Sequence, residues 1–184
     1  MRTADIRPIT TKEYRDMPEG PPYFQLIEGD LYMSPSPNFF HQSIIWNLAA
    51  AIDRYLEKHP CGVARFAPSD VELSEISVFQ PDLYFVANER RHILTEQGIA
   101  GAPDLVVEVL SLRTEAYDRG AKRLVYARSG VKELWFIDPD DRAVDVYDFT
   151  KSVDEPAAKL VGDDLLRSSV LSGFELPLKQ LFKK

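Results

Sequence analysis

Two apolar segments near the middle of the chain decide its fold. Residues 78–86 read VFQPDLYFV, and residues 103–110 read PDLVVEVL. Such short runs of aliphatic and aromatic residues are typical of strands that are covered on both faces. A carboxylate interrupts each run, Asp82 in the first and Glu108 in the second. We therefore expect neighbouring strands of a buried sheet that bring two carboxylates together.

The two carboxylates suggest a site for a divalent cation. Because side chains alternate along a strand, Asp82 is expected on the face opposite to that of Phe79, Leu83 and Phe85. A buried carboxylate is costly unless a cation or hydrogen-bond donors accompany it. Mg²⁺ takes one or two protein carboxylates together with waters and phosphate oxygens. The alternative is that Asp82 ends a turn and Glu108 pairs with an arginine from a helix.

A long amphipathic helix is predicted before these strands. Ser36 suits its N-cap and Pro37 its first position. The helix is expected to run to about Lys58, because Pro60 and Gly62 end the pattern. Its apolar residues recur at helical spacing. They are Phe40, Ile44, Ile45, Leu48, Ala49, Ile52, Tyr55 and Leu56.

A second helix is predicted over residues 114–130, with Gly130 at its C-terminal cap. Its inward positions are expected to be Tyr117, Ala121, Leu124 and Val125. Strands are predicted from residue composition and alternation, and the chain is expected to end in a strand and a short helix. These strands lie within 23–33, 63–67, 70–74, 132–139 and 143–149. The order predicts an α/β (α+β) fold with a mixed sheet flanked by helices.

Composition and charge narrow the class of protein. The 184 residues suit one domain, with an arm over about 1–20 and a tail over about 150–184. The single cysteine, Cys61, favours a reducing, cytoplasmic setting. No apolar stretch is long enough to span a membrane. A net charge of −7 argues against a broadly basic nucleic-acid binder but leaves room for a local basic strip.

Several spaced segments resemble the Uma2 family of restriction-endonuclease-like proteins, part of the PD-(D/E)XK nuclease superfamily. They are FQLIEGDLYMSPSPNFFHQSIIWNL at 24–48, VFQPDLYFV at 78–86, GIAGAPDLVVEVLS at 98–111 and YDRGAKRLVYARSGVKELWFIDP at 117–139. The resemblance extends from about Tyr14 to about Phe149. It implies a restriction-endonuclease-like fold and an endonuclease that hydrolyses DNA with Mg²⁺, for which Mn²⁺ can substitute.

The same resemblance implies roles for individual residues. Pro81-Asp82 corresponds to the PD element and Glu108 to the acidic residue of E-X-K. Leu110 stands where the lysine of that motif should be, so Lys122 from the following helix is the implied substitute. Asp82, Glu108 and the backbone carbonyl of Val109 would then bind the metal. Another interpretation makes Lys122 part of a surface ion pair with Asp118, which lies four residues earlier.

Each of the remaining candidate site residues has two interpretations. Glu28 is either an additional carboxylate of the site or a turn residue. His41 is either catalytic or structural, since it lies close to the apolar stripe of the long helix. Arg113, Arg119 and Arg123 are either contacts for DNA phosphates or a solvated face.

Three functions are compatible with these patterns. The first is a metal-dependent phosphodiesterase acting on DNA. The second is a catalytically inactive nuclease-fold protein that binds nucleic acid or protein, and the third is a sugar hydrolase built on a carboxylate pair. A homodimer is also predicted, because cleavage of a duplex requires two cuts and two-fold assemblies are common. The apolar tail and an edge strand at 143–149 are its expected interface.

Overall fold

The structure is a computed structural model that describes residues 7–18, 20, 23–34, 36–111, 115 and 118–184. The strands of the main sheet are β3 (Gly62–Phe66), β6 (Leu83–Ala87), β9 (Leu105–Val109), β10 (Glu133–Asp138), β11 (Ala143–Asp148) and β12 (Ala158–Leu160). Within the described ranges their order in the sheet is β12-β11-β10-β9-β6-β3. Strands β9 and β10 are parallel, and the other neighbours are antiparallel.

A second mixed sheet has the order β2-β1-β5-β4-β8-β7 among the described residues. Its strands are β1 (Phe24–Ile27), β2 (Asp30–Met33), β4 (Asp70–Ser74), β5 (Ser77–Phe79), β7 (Leu94–Thr95) and β8 (Gly98–Ala100). A short helix, α1 (Thr11–Arg15), precedes it, and a 3₁₀ helix (Asn88–Ile93) connects β6 to β7. Segment 23–33 is thus the expected strand pair.

Helix α2 (Phe39–Lys58) covers one face of the main sheet. Its buried side chains include Ile44, Leu48 and Ile52, as the helical spacing predicts. The predicted start is wrong, because Asn38 rather than Ser36 is the N-cap. The Asn38 side chain accepts a hydrogen bond from the backbone N–H of His41 at 2.9 Å, which satisfies an otherwise unpaired donor of the first turn.

The chain changes sheets at Gln80-Pro81-Asp82, so segment 78–86 is two strands and not one. Pro81 has no N–H to donate to a strand ladder, which favours a break at this point. Strand β5 ends at Phe79 in the second sheet, and β6 begins at Leu83 in the main sheet. The expectation that Phe79 shares a face with Leu83 is therefore wrong, because the two side chains lie in different core clusters.

The segment after β9 contains a π-helical turn (Asp118–Lys122) that continues into α3 (Arg123–Ser129). Gly130 follows in the left-handed conformation with φ 96°, as predicted for the C-terminal cap. The expected inward position of Leu124 is wrong, because this side chain is exposed and Tyr126 is buried instead. Because the π-helical turn has i→i+5 hydrogen bonds, it rotates the following side chains about the helix axis relative to a regular α-helix. Tyr117 lies outside the described residues.

The C-terminal segment is part of the core and not the predicted dimer interface. Strands β13 (Leu165–Arg167) and β14 (Glu175–Pro177) and helix α4 (Leu178–Leu181) pack beside α2. Buried side chains from this segment are Leu166, Leu171, Phe174, Leu176, Leu178, Leu181 and Phe182.

The other predicted interface element is also internal. Strand β11 lies between β10 and β12, so it is not an edge strand. The homodimer remains a prediction, but its interface would have to use surfaces other than the tail and β11. None of the helices in the described ranges is long and apolar enough to cross a membrane.

Candidate nuclease centre

Asp82 is the residue immediately before β6, at the point where the chain enters the main sheet. Its Oδ2 accepts a hydrogen bond from the backbone N–H of Val109 at 2.7 Å. Leu83 pairs with Val107 in antiparallel register, so the same register continued by one residue places Asp82 across from Glu108. The side chain of Asp82 is 20% exposed and reaches solvent.

His41 holds the second oxygen of Asp82. The distance from His41 Nε2 to Asp82 Oδ1 is 2.8 Å, and the imidazole is largely buried at the first turn of α2. Burial lowers the pKa of His41, but the hydrogen bond and charge of Asp82, together with the charges of Glu108 and Asp118, outweigh burial and raise this pKa above its ordinary value. His41 therefore fixes the orientation of the Asp82 carboxylate.

Glu108 lies in β9, the strand between β6 and β10, and its carboxylate is buried on the face that α3 covers. Its Oε1 accepts hydrogen bonds from Lys122 Nζ at 3.1 Å and Tyr126 Oη at 2.7 Å. Burial raises the pKa of Glu108 to about 7, and the charges of Asp118 and Asp82 add to the rise although Lys122 opposes it. Glu108 Oε2 has no hydrogen bond to a described residue.

Lys122 is enclosed by two carboxylates. Its Nζ lies 3.1 Å from Glu108 Oε1 and 3.1 Å from Asp118 Oδ1. Burial would lower the pKa of Lys122, but these two charges outweigh it and raise this pKa above its ordinary value. The ammonium points toward Glu108, and the Lys122 side chain is only 6% exposed. The Lys122–Asp118 pair is therefore buried, so it is not the surface ion pair of the alternative interpretation.

The sequence interpretation missed Asp118 and Tyr126 as members of this cluster. Asp118 is buried, and the π-helical turn brings it onto Lys122. Their four-residue spacing was a usable signal, but it also fits a surface ion pair. Tyr126 lies one turn after Lys122 and packs edge-on against Phe79, with 5.0 Å between ring centroids. Its burial depends on the phase of the helix.

Two other candidates have internal partners. Glu28 sits in the β1–β2 turn with φ 51° and pairs at the surface with Arg128, 2.7 Å away. Arg119 binds Glu115 at 2.9 Å and Asp145 at 2.5 Å. The described contacts of Arg119 do not include Asp82 or Glu108, which we call the acidic pair.

Arg123 likewise pairs with groups away from the acidic pair. It donates to the backbone carbonyl of Val153 and lies 3.6 Å from Asp154. These contacts give its guanidinium a structural role. Arg113 lies outside the described residues.

The donor set suits a hard cation such as Mg²⁺. Asp82 and Glu108 provide carboxylates from adjacent strands, and the negative charge of Asp82 disfavours ionisation of Glu108. The described residues contain no group of three or more His, Cys, Asp or Glu side chains placed to bind a metal. Mg²⁺ does not require such a cage, since it retains waters and binds through one or two carboxylates. The residues therefore fit this ion.

Comparisons with known proteins agree with the geometry. A family model named Uma2 and described as "putative restriction endonuclease" matches residues 11–179. The chain is also similar to the crystal structure of a "putative nuclease belonging to DUF820" from Anabaena variabilis. The identity is 25% and the TM-score is 0.79, over 95% of this chain and 98% of that chain. No curated protein matches. The expected nuclease-like fold is confirmed by this likeness.

Proposed function

The chain belongs to the Uma2 family, and from this premise we propose that it is a metal-dependent endonuclease that hydrolyses DNA phosphodiester bonds. The observation that carries the proposal is the register that puts Asp82 across from Glu108 on adjacent strands, with Lys122 Nζ 3.1 Å from Glu108. The descriptions of the family and of the Anabaena protein both name a nuclease, which supports the same activity.

Asp82 and Glu108 would bind Mg²⁺ together with the backbone carbonyl of Val109, and Mn²⁺ would serve in its place. The ion would supply Lewis-acid stabilisation of charge on the scissile phosphate. His41 and the N–H of Val109 keep Asp82 in one orientation, so this ligand needs little rearrangement. Glu108 Oε2 would be the ligand oxygen, because Oε1 already accepts from Lys122 and Tyr126 and no described residue donates to Oε2.

Lys122 provides the positive charge that Leu110 cannot. Its ammonium stays protonated because Glu108 and Asp118 both stabilise the charged form. An ammonium beside the acidic pair can stabilise negative charge that develops on the phosphate during cleavage. Asp118 also contacts this ammonium, at 3.1 Å, and is a positioning residue.

The test is an incubation of the full chain with supercoiled, linear, branched and single-stranded DNA at several Mg²⁺ and Mn²⁺ concentrations. We expect cleavage by the wild type, with loss of cleavage in Asp82→Asn and Glu108→Gln. Calorimetry should show Mn²⁺ binding that Asp82→Ala removes. Arg167→Gln is the matched control, because Arg167 on β13 forms an exposed ion pair with Glu175 on β14. Equal cleavage by wild type and Asp82→Asn contradicts the proposal.

A second candidate is a catalytically inactive nuclease-fold protein that binds nucleic acid or protein. The observation that favours it is the enclosure of Lys122, whose charge is already matched by Glu108 and Asp118. This candidate predicts DNA or protein binding without cleavage at any metal concentration in the same assay.

A further inference from the structure

A groove of about 940 Å³ runs between α2 and β3 and reaches the candidate nuclease centre. Strand β3 is at the edge of the main sheet, with β6 as its neighbour. Phe66 pairs with Leu83 at one end of β3 and Gly62 pairs with Ala87 at the other. The Phe66 end is therefore next to Asp82, which lines the groove together with His41. A ligand in this groove would therefore lie beside Asp82.

Two aromatic side chains of the groove are exposed. Trp46 on α2 is 73% exposed and Phe66 on β3 is 57% exposed. The other tryptophan, Trp135, is fully buried at 0%. Large aromatic surfaces left in water beside a candidate active site are typical of surfaces that bind a ligand.

The charges of the groove do not favour a duplex. Arg54 and Arg65 line it, but so do Asp53 and Glu57. The net charge of the whole chain is −7. Strong binding to the outside of a duplex requires many lysine and arginine contacts to phosphates. Stacking of unpaired bases on aromatic rings requires far fewer.

We propose that this groove binds an unpaired strand of DNA and guides it to Asp82 and Glu108, an inference that rests on the proposed nuclease function. Bases stack on Trp46 and Phe66, and Arg54 and Arg65 contact phosphates. Continuity of the groove with His41 and Asp82 favours a substrate strand over a second copy of the chain as the occupant. The substrate is then DNA with a single-stranded end, flap or gap.

The test measures binding of the full chain to an oligothymidylate of about 12 nucleotides in EDTA, a length within the usual range for single-strand sites. Binding should quench tryptophan fluorescence through Trp46, since Trp135 is buried. Anisotropy of a labelled oligonucleotide should show Kd raised about 5- to 100-fold in Trp46→Ala and in Phe66→Ala. With two arginine contacts, the slope of log K against log salt concentration should be about −1.4.

Val161→Ala is the matched control, because Val161 is an exposed apolar residue that follows β12 at the opposite edge of the main sheet. Its Kd should equal that of the wild type. The proposal is overturned if a blunt duplex binds as tightly as the single strand, or if Trp46→Ala binds like the wild type. A third outcome also overturns the proposal. In it, light scattering shows that the wild type is a dimer and Trp46→Ala is a monomer, and the oligonucleotide does not bind the wild type.

The two proposals fail separately. Oligonucleotide binding that depends on Trp46, without cleavage of any DNA in Mn²⁺, contradicts the nuclease function and leaves the groove assignment intact. Cleavage by the wild type, with oligonucleotide binding unchanged in Trp46→Ala, contradicts the groove assignment and leaves the nuclease function intact.

Discussion

The centre contains three carboxylates, those of Asp82, Glu108 and Asp118, and one buried ammonium, that of Lys122. The charges of Asp118 and Asp82 both disfavour ionisation of Glu108, and the Lys122 ammonium contacts Glu108 and Asp118. A buried carboxylate without a matching cation prefers its neutral form. This explains why Glu108 has a raised pKa while Lys122 keeps its charge. A divalent ion would relieve the same imbalance.

Removal of the Lys122 ammonium should destabilise the protein. Lys122→Met leaves Glu108 and Asp118 buried beside each other without a cation. We expect the free energy of unfolding to fall by about 3–5 kcal/mol at pH 8, which urea denaturation measures. The fall should be smaller at pH 6, where Glu108 can take up a proton. Lys179→Met is the control, because Lys179 and Asp163 form an exposed pair. A loss below about 1 kcal/mol for Lys122→Met, the size typical of surface pairs, contradicts the buried-cluster interpretation.

Ionisation of Glu108 should make stability depend on pH. Its pKa rises from 4.5 in the unfolded chain to about 7 in the folded protein, so the protonated form is favoured by folding. The contribution is complete below pH 4.5 and is lost as the pH rises through about 7. At about 1.4 kcal/mol per pKa unit, the loss is up to about 3.5 kcal/mol.

Urea denaturation between pH 5 and pH 8 checks this expectation, with Glu108→Gln as the reference that cannot ionise. The stability of the wild type should fall relative to that variant across this range. Parallel pH profiles would show that Glu108 does not titrate there. Saturating Mg²⁺ should flatten the wild-type profile, because the ion favours the carboxylate form.

At the scale of single elements, the starts of two helices position the centre. The first turn of α2 carries His41, and the π-helical turn before α3 carries both Asp118 and Lys122. A π-helical turn is rare and is frequently found at functional sites. The turn of β1 and β2 instead places Glu28 at the surface, where it contacts Arg128.

Loss of the α2 cap should weaken both the helix and the centre. Asn38→Ala removes the acceptor for the backbone N–H of His41, so we expect a loss of about 1 kcal/mol in the free energy of unfolding. A less firmly held His41 should also lower Mn²⁺ affinity through Asp82. Asn38→Ser keeps a capping oxygen and should restore both properties. Equal thermal midpoints and Mn²⁺ affinities for Asn38→Ala and the wild type would contradict a role for this cap.

At the scale of the whole molecule, the C-terminal segment completes the core over the main sheet. Leu181 and Phe182 pack in the cluster that contains the inward side chains of α2. The side-chain amide of Asn47 on α2 donates to the backbone carbonyls of Leu181 at 3.0 Å and Lys183 at 2.7 Å. The tail is therefore bound to α2 by both apolar and polar contacts.

A cavity in this segment should destabilise the whole protein. Leu181 is fully buried, so Leu181→Ala should lower the free energy of unfolding by about 2–5 kcal/mol in urea. Lys179→Ala in the same helix removes only an exposed ion pair and should change it by less than about 1 kcal/mol. Equal stability of the two variants, or dissociation of a dimer by Leu181→Ala without loss of fold, would instead support a dimer interface at the tail.

Local sequence patterns were sufficient to predict most elements and both carboxylates. The stretches at 83–86 and 105–110 predict buried strands because their residues are apolar except for Glu108, and Asp82 immediately precedes the first of them. The helix ending near Lys58 and the left-handed cap at Gly130 also follow from local rules, since helix periodicity and glycine conformations act over a few residues.

Only the tertiary structure decided which side chains meet. The sheet change at Pro81, the burial of Asp118 and Tyr126 and the covering of the core by the tail all depend on contacts between distant segments. Spacing alone allowed Asp118 and Lys122 to be a surface pair, because burial depends on the helix phase that the π-helical turn sets. The sequence thus determined the chemical groups of the centre, while long-range packing determined their partners, their burial and their charge.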